Sequence, residues 1–509
     1  MKTLLIQPYI TSSNQFTNLI EPLGLIYLAS YVKHHEIKIL DLYGLGVDKI
    51  EKVDHLYRKG VSNSKEIVRM IKEYDPEVVG ISCNFTEYSQ DAFEVVKLVK
   101  DNFKNAIVVI GGAHVTMDAV NTLKNNQSID ILVRGEGEIT FQELLDTLQK
   151  KGDLSVIKGL TYKNNNGEII SNPDRELIED INELPMLDRS KLETMGAYLK
   201  TNTRALAFVK NEPVASIMTS RGCPFNCIFC STKMVWRRKW RPRSPQNVVK
   251  EIEMLVNNYG AKEIAIYDDQ FIVEKQRVID ICDLLIEKKI KISLSIPSGT
   301  SVWLADEELL RKMKAAGFYR ICFPIETGNE NTMKFIRKPV NLLMAKKMIA
   351  LTNKIGIWTQ GNFIIGFPYE TKEEIETTIK YAFNSGLDYA LFYIAKPFAG
   401  SEMYEIFKQE NLLARIGRGI NVETTEYDTK TMKAEELQSI RDKAASHYLF
   451  AKILFYLNPV NFYNCLLPKL STIEDISYAV KIFFKIIKKT LVDKLISSER
   501  ADFFKNPWR

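Results

Sequence analysis

Ser220-Arg221-Gly222-Cys223-Pro224-Phe225-Asn226-Cys227-Ile228-Phe229-Cys230 sets three thiols at the spacing C-x3-C-x2-C directly behind an apolar run, Ala215–Ser220, that reads as a strand. Thiolates converging from one short loop are the ligand set of a soft metal or an iron–sulfur cluster. Three cysteines satisfy three irons of a four-iron cube and leave the fourth open to another ligand. A structural zinc site would want a fourth Cys or His at short range, and none lies between Cys230 and Lys250. The chain has only 7 cysteines, so three within eight residues is a poor match for chance.

Working outward, the strand before this loop is the first of six. Further apolar runs at Glu263–Tyr267, Lys291–Ile296, Arg320–Glu326, Thr359–Gly366 and Tyr389–Ile394 alternate with amphipathic stretches such as Asn247–Asn258. That alternation predicts a partial β/α barrel, in which chemistry belongs at the C-terminal ends of the strands. After about Pro397 the strands stop and the remainder reads as helical, with breaks at Pro459 and Pro468. On the N-terminal side, strands at Lys2–Gln7, Ile37–Leu42, Val78–Ser82, Ile107–Ile110 and Ile131–Val133, with a helix at Leu23–Lys33, predict a Rossmann-like parallel α/β sheet. Ligands of such sheets lie outside the carboxyl ends of the strands. Those ends carry Gln7-Pro8-Tyr9, Asp41-Leu42-Tyr43-Gly44, Ser82-Cys83-Asn84, Gly111-Gly112-Ala113-His114 and Arg134-Gly135-Glu136-Gly137-Glu138, although turn chemistry alone explains any one of them. Asn164-Asn165-Asn166-Gly167 and Asn182-Glu183-Leu184-Pro185 suggest a small hairpin and a connector. The expected division is 1–150, 151–210, 211–405 and 406–509.

Composition bounds the function. With 509 residues, 45% apolar and 26% charged, disordered, collagen-like and mucin-like classes are excluded, and one small domain cannot account for the length. A net charge of +6 is too dilute to argue for nucleic acid. Met1–Pro8 has no secretory apolar region or cleavage site, the cysteine count is odd and sparse, and no window of about 18 residues is free of charge and proline. A cytoplasmic protein without a membrane span is expected.

The cysteine loop resembles that of the radical S-adenosylmethionine (SAM) superfamily. The resemblance implies a [4Fe–4S] cluster held by Cys223, Cys227 and Cys230, an open iron that chelates the amino and carboxylate groups of SAM, and reductive cleavage to a 5′-deoxyadenosyl radical. Phe229 matches the family position that borders the adenine. Tyr267-Asp268-Asp269-Gln270-Phe271 resembles the segment that holds the methionine amino group, which makes Tyr267 and Asp269 candidates; helix N-capping is the competing reading of the two aspartates. Ile325-Glu326-Thr327-Gly328-Asn329-Glu330 is similar to the family's Glu-Ser-Gly turn, with Glu326 and Gly328 at the SAM ribose or amine. Gly366-Phe367-Pro368-Tyr369-Glu370-Thr371 resembles the Gly-Leu-Pro-Gly-Glu-Thr turn beside the adenine, with Gly366 and Pro368 in place and Tyr369 where the family has Gly. Pro397-Phe398-Ala399-Gly400-Ser401 resembles the closing turn.

With such a barrel behind them, residues 1–150 look like the cobalamin-binding domain that many of these enzymes carry. The matching residues are Pro22-Leu23-Gly24-Leu25, Asp41, Ser82 with Asn84, Gly111-Gly112 and the Gly135-Glu136 turn. Glycine at 111, 112 and 135 would let backbone approach a flat corrin. The Asp-x-His-x-x-Gly motif that places an imidazole on cobalt has Asp41-Leu42-Tyr43-Gly44-Leu45-Gly46 as its nearest string, with Tyr for His, so no protein imidazole on cobalt is expected. His114 reads either as a cofactor contact or as a loop or capping residue.

The resemblance implies a cobalamin-dependent radical SAM methyltransferase acting on an unactivated carbon. Oxidative cyclisation or ring rearrangement by the same two domains is the alternative, and a non-catalytic iron–sulfur or corrin-binding protein is the rival from another class. The partners expected are a small molecule, an electron donor such as flavodoxin or ferredoxin, and no nucleic acid. Phe450, Phe455, Phe462, Phe483 and Phe484 favour an apolar or lipid-like substrate, and the C-terminal segment is expected to close a barrel mouth and to carry substrate choice. Trp236-Arg237-Arg238-Lys239-Trp240-Arg241 suits an anionic substrate or the SAM carboxylate, or else is a solvated loop. Lys481, Lys485, Lys488 and Lys489 share one helix face, as in a basic helix on an anionic membrane or a docked helix with its lysines in water. Residues 430–509 hold 14 Lys and Arg against 8 Asp and Glu, which is the whole surplus of +6.

Overall fold

The computed structural model describes residues 1–12, 20–53, 56–200, 203–204, 207–413, 424–425 and 427–496, with backbone alone for 203–204, 207–208 and 485–496. The apolar runs of the N-terminal region form strands β1 (Lys2–Gln7), β2 (Glu36–Asp41), β3 (Val78–Ser82), β4 (Ile107–Gly111) and β5 (Ile131–Val133). All five are parallel, in the order β2-β1-β3-β4-β5. The chain therefore reverses its direction of travel between β1 and β3, and the crevice outside the carboxyl ends of such a pair is where doubly wound sheets bind ligands. The expected hairpin also forms, as β6 (Leu160–Lys163) and β7 (Ile169–Ser171), but it adds antiparallel to β5 and extends the first sheet instead of standing apart in a connector. A second, three-stranded sheet of Ile10–Ser12, Leu56–Lys59 and Ile50–Val53 was not anticipated.

The second unit is a partial barrel of six parallel strands in sequential order: β8 (Val214–Ile217), β9 (Glu263–Ile266), β10 (Ser293–Ile296), β11 (Phe318–Glu326), β12 (Trp358–Ile365) and β13 (Tyr389–Ile394). Local signals fix its helices. Ser244 caps Pro245–Tyr259 by accepting from the Asn247 amide, proline opens it, and Gly260 ends it at φ +64°. Thr371 and Glu374 form a reciprocal capping box on Lys372–Asn384 and so pin the turn before it. Leu187, Leu192, Met195 and Tyr198 of the connecting segment join helix Leu23–Tyr31 and the barrel in one apolar core.

The C-terminal segment is helical, as expected, and closes one mouth of the barrel. Helix Ala434–Leu457 runs beside β13, with the Tyr448 hydroxyl on the Leu387 carbonyl at 2.6 Å. Lys469 reaches Asp388 at 2.5 Å, Lys210 reaches Asp475 at 2.6 Å, and Tyr478 packs edge-on against Tyr319 and Trp358. These partners stand where barrel strands begin. The end of the segment thus seals the mouth opposite the cysteine loop, and among the described residues its first part, near Thr431 and Leu437, touches the 366–370 turn. The side chains of Lys485, Lys488 and Lys489 lie outside the described residues.

Candidate functional site

The cysteine loop is rooted by Asp268 at the end of β9. This fully buried carboxylate accepts from the Thr219 amide (2.6 Å), the Thr219 hydroxyl (2.5 Å) and the Ser220 hydroxyl (2.6 Å), so it is a clamp on the loop and neither a helix cap nor a ligand. Ser220–Arg221 then pairs antiparallel with Arg241–Pro242, and the three cysteines lie on the loop that this pair encloses. Gly222 enters the loop at φ +93°, where a Cβ would stand 2.0 Å from the Lys239 carbonyl oxygen; glycine alone fits.

Burial pushes the Cys223 thiol up to about 12 and Cys227 to about 11, and each thiol feels the charge of its neighbours. Cys230 is raised too, chiefly by burial, although the Thr232 hydroxyl 3.0 Å from its sulfur opposes the shift. The protein alone keeps these groups protonated; bound metal supplies the positive charge that makes thiolates. Among the described residues no three His, Cys, Asp or Glu side chains gather tightly enough for one metal ion. Three thiols carried on one short loop suit three irons of a cluster.

Around the loop stand aromatic rings: Phe225 edge-on to Trp303 at 5.0 Å, and Phe229 and Phe335 flanking Phe367 at 6.3 and 6.2 Å. Phe229 therefore borders the 366–371 turn. Glu370 shapes that turn by accepting from the Gly366 (2.7 Å) and Phe367 (3.3 Å) amides, and burial pushes its carboxyl up to about 8. Gly366, at φ +79°, leaves room for Leu437, and Tyr369 points outward to Glu410 at 2.6 Å, so the Gly-to-Tyr change is absorbed at the surface. The Pro368 carbonyl accepts from the Lys430 amide. Gly328 is needed for packing, since a Cβ there would meet Tyr381 at 2.3 Å, and its amide donates to the Thr378 hydroxyl at 3.1 Å.

Glu326 sits at a register shift in β11 with φ +72°, an uncommon state for a non-glycine residue and typical of functional sites. Its carboxylate takes Lys338 Nζ at 2.7 Å, and both side chains are buried. Burial works against the Lys338 charge, but Glu326 and then Cys227 outweigh it and hold the ammonium protonated. Sequence reading missed Lys338; the one available signal was that a buried Glu326 demands a cation. Asp269, pushed up to about 6 by burial and then by Asp268, faces Gly222 and the cluster thiols. The Tyr267 ring packs on Val209, Val214 and Ala265, the Gln270 carbonyl is taken by Ser220 and Trp240, and Asp269 accepts from the Gly222 amide and the Trp236 side chain at the entry to the loop.

At the first sheet, helix Ala113–Met117 packs against helix Thr232–Trp236, which directly follows Cys230. The β3, β4 and β5 ends therefore face the cluster loop. Here Asn84 is exposed beside Ser82 (3.1 Å), Phe85 is 63% exposed, and Gly135 at φ +70° has open space where a Cβ would stand. Gly111 lies between them, and Gly112 is dictated by the Cys83 carbonyl, 2.6 Å from its would-be Cβ. This ledge suits a flat cofactor. His114 turns Nδ1 to the Thr86 hydroxyl at 3.0 Å, and burial lowers its pKa. Two expected corrin residues are engaged elsewhere. Asp41 is buried on Gly44 and Thr194, and Glu136 is buried in ion pairs with Arg221 (2.6 Å) and Arg241 (2.8 Å). Arg241 is therefore not available to an anionic substrate, whereas Arg237, Arg238 and Lys239 are exposed.

Residues 217–382 match the radical SAM superfamily and residues 14–145 match the B12 binding domain. The chain is 36% identical over 436 residues to an uncharacterized methyltransferase of Pyrococcus horikoshii, across 85% of this chain and 89% of that one. It is 30% identical over 434 residues to cytidylyl-2-hydroxyethylphosphonate methyltransferase of Streptomyces wedmorensis, across 79% and 80%. The structure of the cobalamin-dependent S-adenosylmethionine radical enzyme OxsB with aqua-cobalamin bound has the same fold, with a TM-score of 0.66 at 17% identity over 100% of this chain and 81% of that one. A thiol-bearing barrel loop facing an open ledge on a parallel sheet, together with these matches, means that the chain belongs to the radical SAM superfamily, among the members that carry a B12 binding domain ahead of the barrel.

Proposed function

We propose that the protein is a cobalamin-dependent radical SAM methyltransferase acting on an unactivated carbon of a small molecule. The observation that carries this reading is the packing of helix Ala113–Met117 on helix Thr232–Trp236, which turns the corrin ledge and the cluster loop toward each other. When bound, the cluster and SAM supply hydrogen abstraction by a radical and cobalamin supplies the methyl group. Cys223, Cys227 and Cys230 hold the cluster. Asp269, Glu326 with Lys338, Phe229 and the 366–371 turn line the SAM side, and Ser82, Asn84, Phe85, Gly111 and Gly135 form the corrin ledge. The rings of Phe225, Trp303, Phe335 and Phe367 keep water from the loop. Anaerobic incubation of the reconstituted protein with SAM and a reductant tests this: 5′-deoxyadenosine and a corrin band in the visible spectrum are expected, and absence of the nucleoside overturns it. Cyclisation remains the competing chemistry of the same site, because the chain is 26% identical over 409 residues to the anaerobic magnesium-protoporphyrin IX monomethyl ester cyclase of Rubrivivax gelatinosus.

Two partners belong to the same reading. Exposed Arg237, Arg238 and Lys239, a few residues beyond Cys230, suit an acidic electron donor such as flavodoxin or ferredoxin. An anionic membrane surface suits the C-terminal segment. Leu454, Leu457, Val460, Tyr463, Ile473 and Phe484 are all more than half exposed there, next to exposed Lys481 in the region that holds the chain's whole surplus of positive charge. Flotation of the full chain with vesicles containing phosphatidylglycerol, lost on Phe484→Asp with Tyr463→Asp, is the expected result. Equal flotation of both proteins, or a dimer in solution that the substitutions dissolve, overturns the membrane assignment. Among the described residues no helix is long and apolar enough to cross a membrane.

A further inference from the structure

We propose that Glu136, Glu138, Arg221 and Arg241 form an interdomain clasp that sets the corrin ledge against the cluster loop, making them positioning residues for the radical chemistry. Arg221 stands two residues before Cys223, at the entry to the loop, and Arg241 stands at its exit, paired with Arg221 across the short antiparallel strands. One carboxylate holds both ends. Glu136 Oε1 accepts from Arg221 Nη1 at 2.6 Å and Oε2 accepts from Arg241 Nη1 at 2.8 Å, while Arg221 Nη2 donates to Glu138 Oε1 at 2.5 Å. All four side chains are at least 93% buried, with exposures of 3%, 5%, 6% and 7% for Glu136, Glu138, Arg221 and Arg241.

The carboxylates come from the turn that opens helix Gly137–Gln149, and Glu136 directly follows Gly135, whose open side belongs to the corrin ledge. The clasp therefore ties that ledge to the base of the loop bearing the three thiols. Aromatic rings complete it. The Arg221 guanidinium lies 4.8 Å from the Tyr27 ring centre, and Arg221 and Arg241 lie 5.9 and 5.6 Å from that of Trp236, at the end of the helix that starts at Thr232, the hydrogen-bond partner of Cys230. Two domains that needed only to adhere could do so through apolar contact. Two carboxylates meeting two fork-shaped guanidinium groups fix distance and angle as well, which is the best-attested use of buried ion pairs.

The inference rests on the corrin lying at the first sheet's strand ends. It is tested on the full chain reconstituted with iron and sulfide, comparing the unsubstituted protein with Glu136→Gln and Glu138→Gln. The readouts are iron content, hydroxocobalamin affinity from visible absorption, and amide hydrogen exchange. Expected are full iron content, hydroxocobalamin affinity weakened at least tenfold, and at least fivefold faster exchange confined to Ala113–Met117 and Thr232–Trp236. Affinity and exchange unchanged in both variants overturn the clasp, as does faster exchange that extends equally to helix Lys275–Glu287. If Glu136→Gln does not fold, Glu138→Gln, which leaves both Glu136 contacts in place, decides by the same outcomes. No hydroxocobalamin binding by the unsubstituted protein would overturn the corrin reading instead, and exchange alone would then decide the clasp.

Discussion

Lys338 holds its ammonium 2.7 Å from the carboxylate of Glu326, and both are buried at the cluster side of the barrel. The pair joins a strained residue at the end of β11 to a lysine twelve residues on, and its positive member faces Cys227 and Cys230. Such a pair can orient the charged methionine end of SAM and offset the charge of thiolates.

Removing one partner strands the other. Lys338→Met should cost about 3–5 kcal/mol of stability, whereas Lys338→Met with Glu326→Leu should recover most of it, because apolar residues can replace a buried pair at little cost. Neither variant should bind SAM. Thermal melts and equilibrium dialysis check the two halves separately, and a double variant that binds SAM normally would relegate the pair to packing.

Gly222→Ala places a methyl group against the Lys239 carbonyl at a positive φ. Iron retained after reconstitution should fall by more than half, while the far end of the barrel, read by hydrogen exchange at Tyr478, stays protected.

Glu370 is raised from the ordinary carboxylate range to about 8, first by burial. The folded state then holds a proton that the unfolded chain has released, so this group costs stability as pH rises from about 4.5 through 8. Each unit of raised pKa is worth about 1.4 kcal/mol. Glu370→Gln keeps an acceptor for the Gly366 and Phe367 amides without the charge. It should match the unsubstituted protein near pH 5 and exceed it near pH 9 by a few kcal/mol in urea titrations; parallel pH profiles would contradict this.

Truncation after about residue 470 should destabilise the barrel, because Asp475 pairs with Lys210 and Tyr478 fills the space between Tyr319 and Trp358. Point substitutions at Tyr463 and Phe484 avoid that loss and are the cleaner probe of membrane contact. A truncated protein with an unchanged melting temperature would refute the seal.

Much of the fold was legible because buried parallel strands read as short apolar runs: β3, Val78–Ser82, and β13, Tyr389–Ile394, stand where the sequence predicts them. The small sheet was not legible, since Ile50–Val53 and Leu56–Lys59 carry Glu51 and Lys52 exposed, Arg58 half-buried and Lys59 buried, charged residues without a clear period. The cluster loop was legible because three thiols at fixed spacing have few other uses. Glu136 was misread because a Gly-Glu-Gly-Glu turn looks the same whether it meets a ligand or Arg221, 85 residues away. Which barrel mouth the C-terminal segment closes was not legible, because its anchors, Lys469 on Asp388 and Tyr478 on Tyr319, are long-range pairs that no local pattern announces.

The most direct test of the account is anaerobic incubation of the protein, loaded with cluster and hydroxocobalamin, with a reductant and SAM bearing a trideuterated methyl group, followed by mass spectrometry of the extracted corrin and nucleosides. The labelled methyl on the corrin, together with S-adenosylhomocysteine and 5′-deoxyadenosine, is the expected result. An unlabelled corrin with no S-adenosylhomocysteine would contradict methyl transfer, even if 5′-deoxyadenosine accumulates.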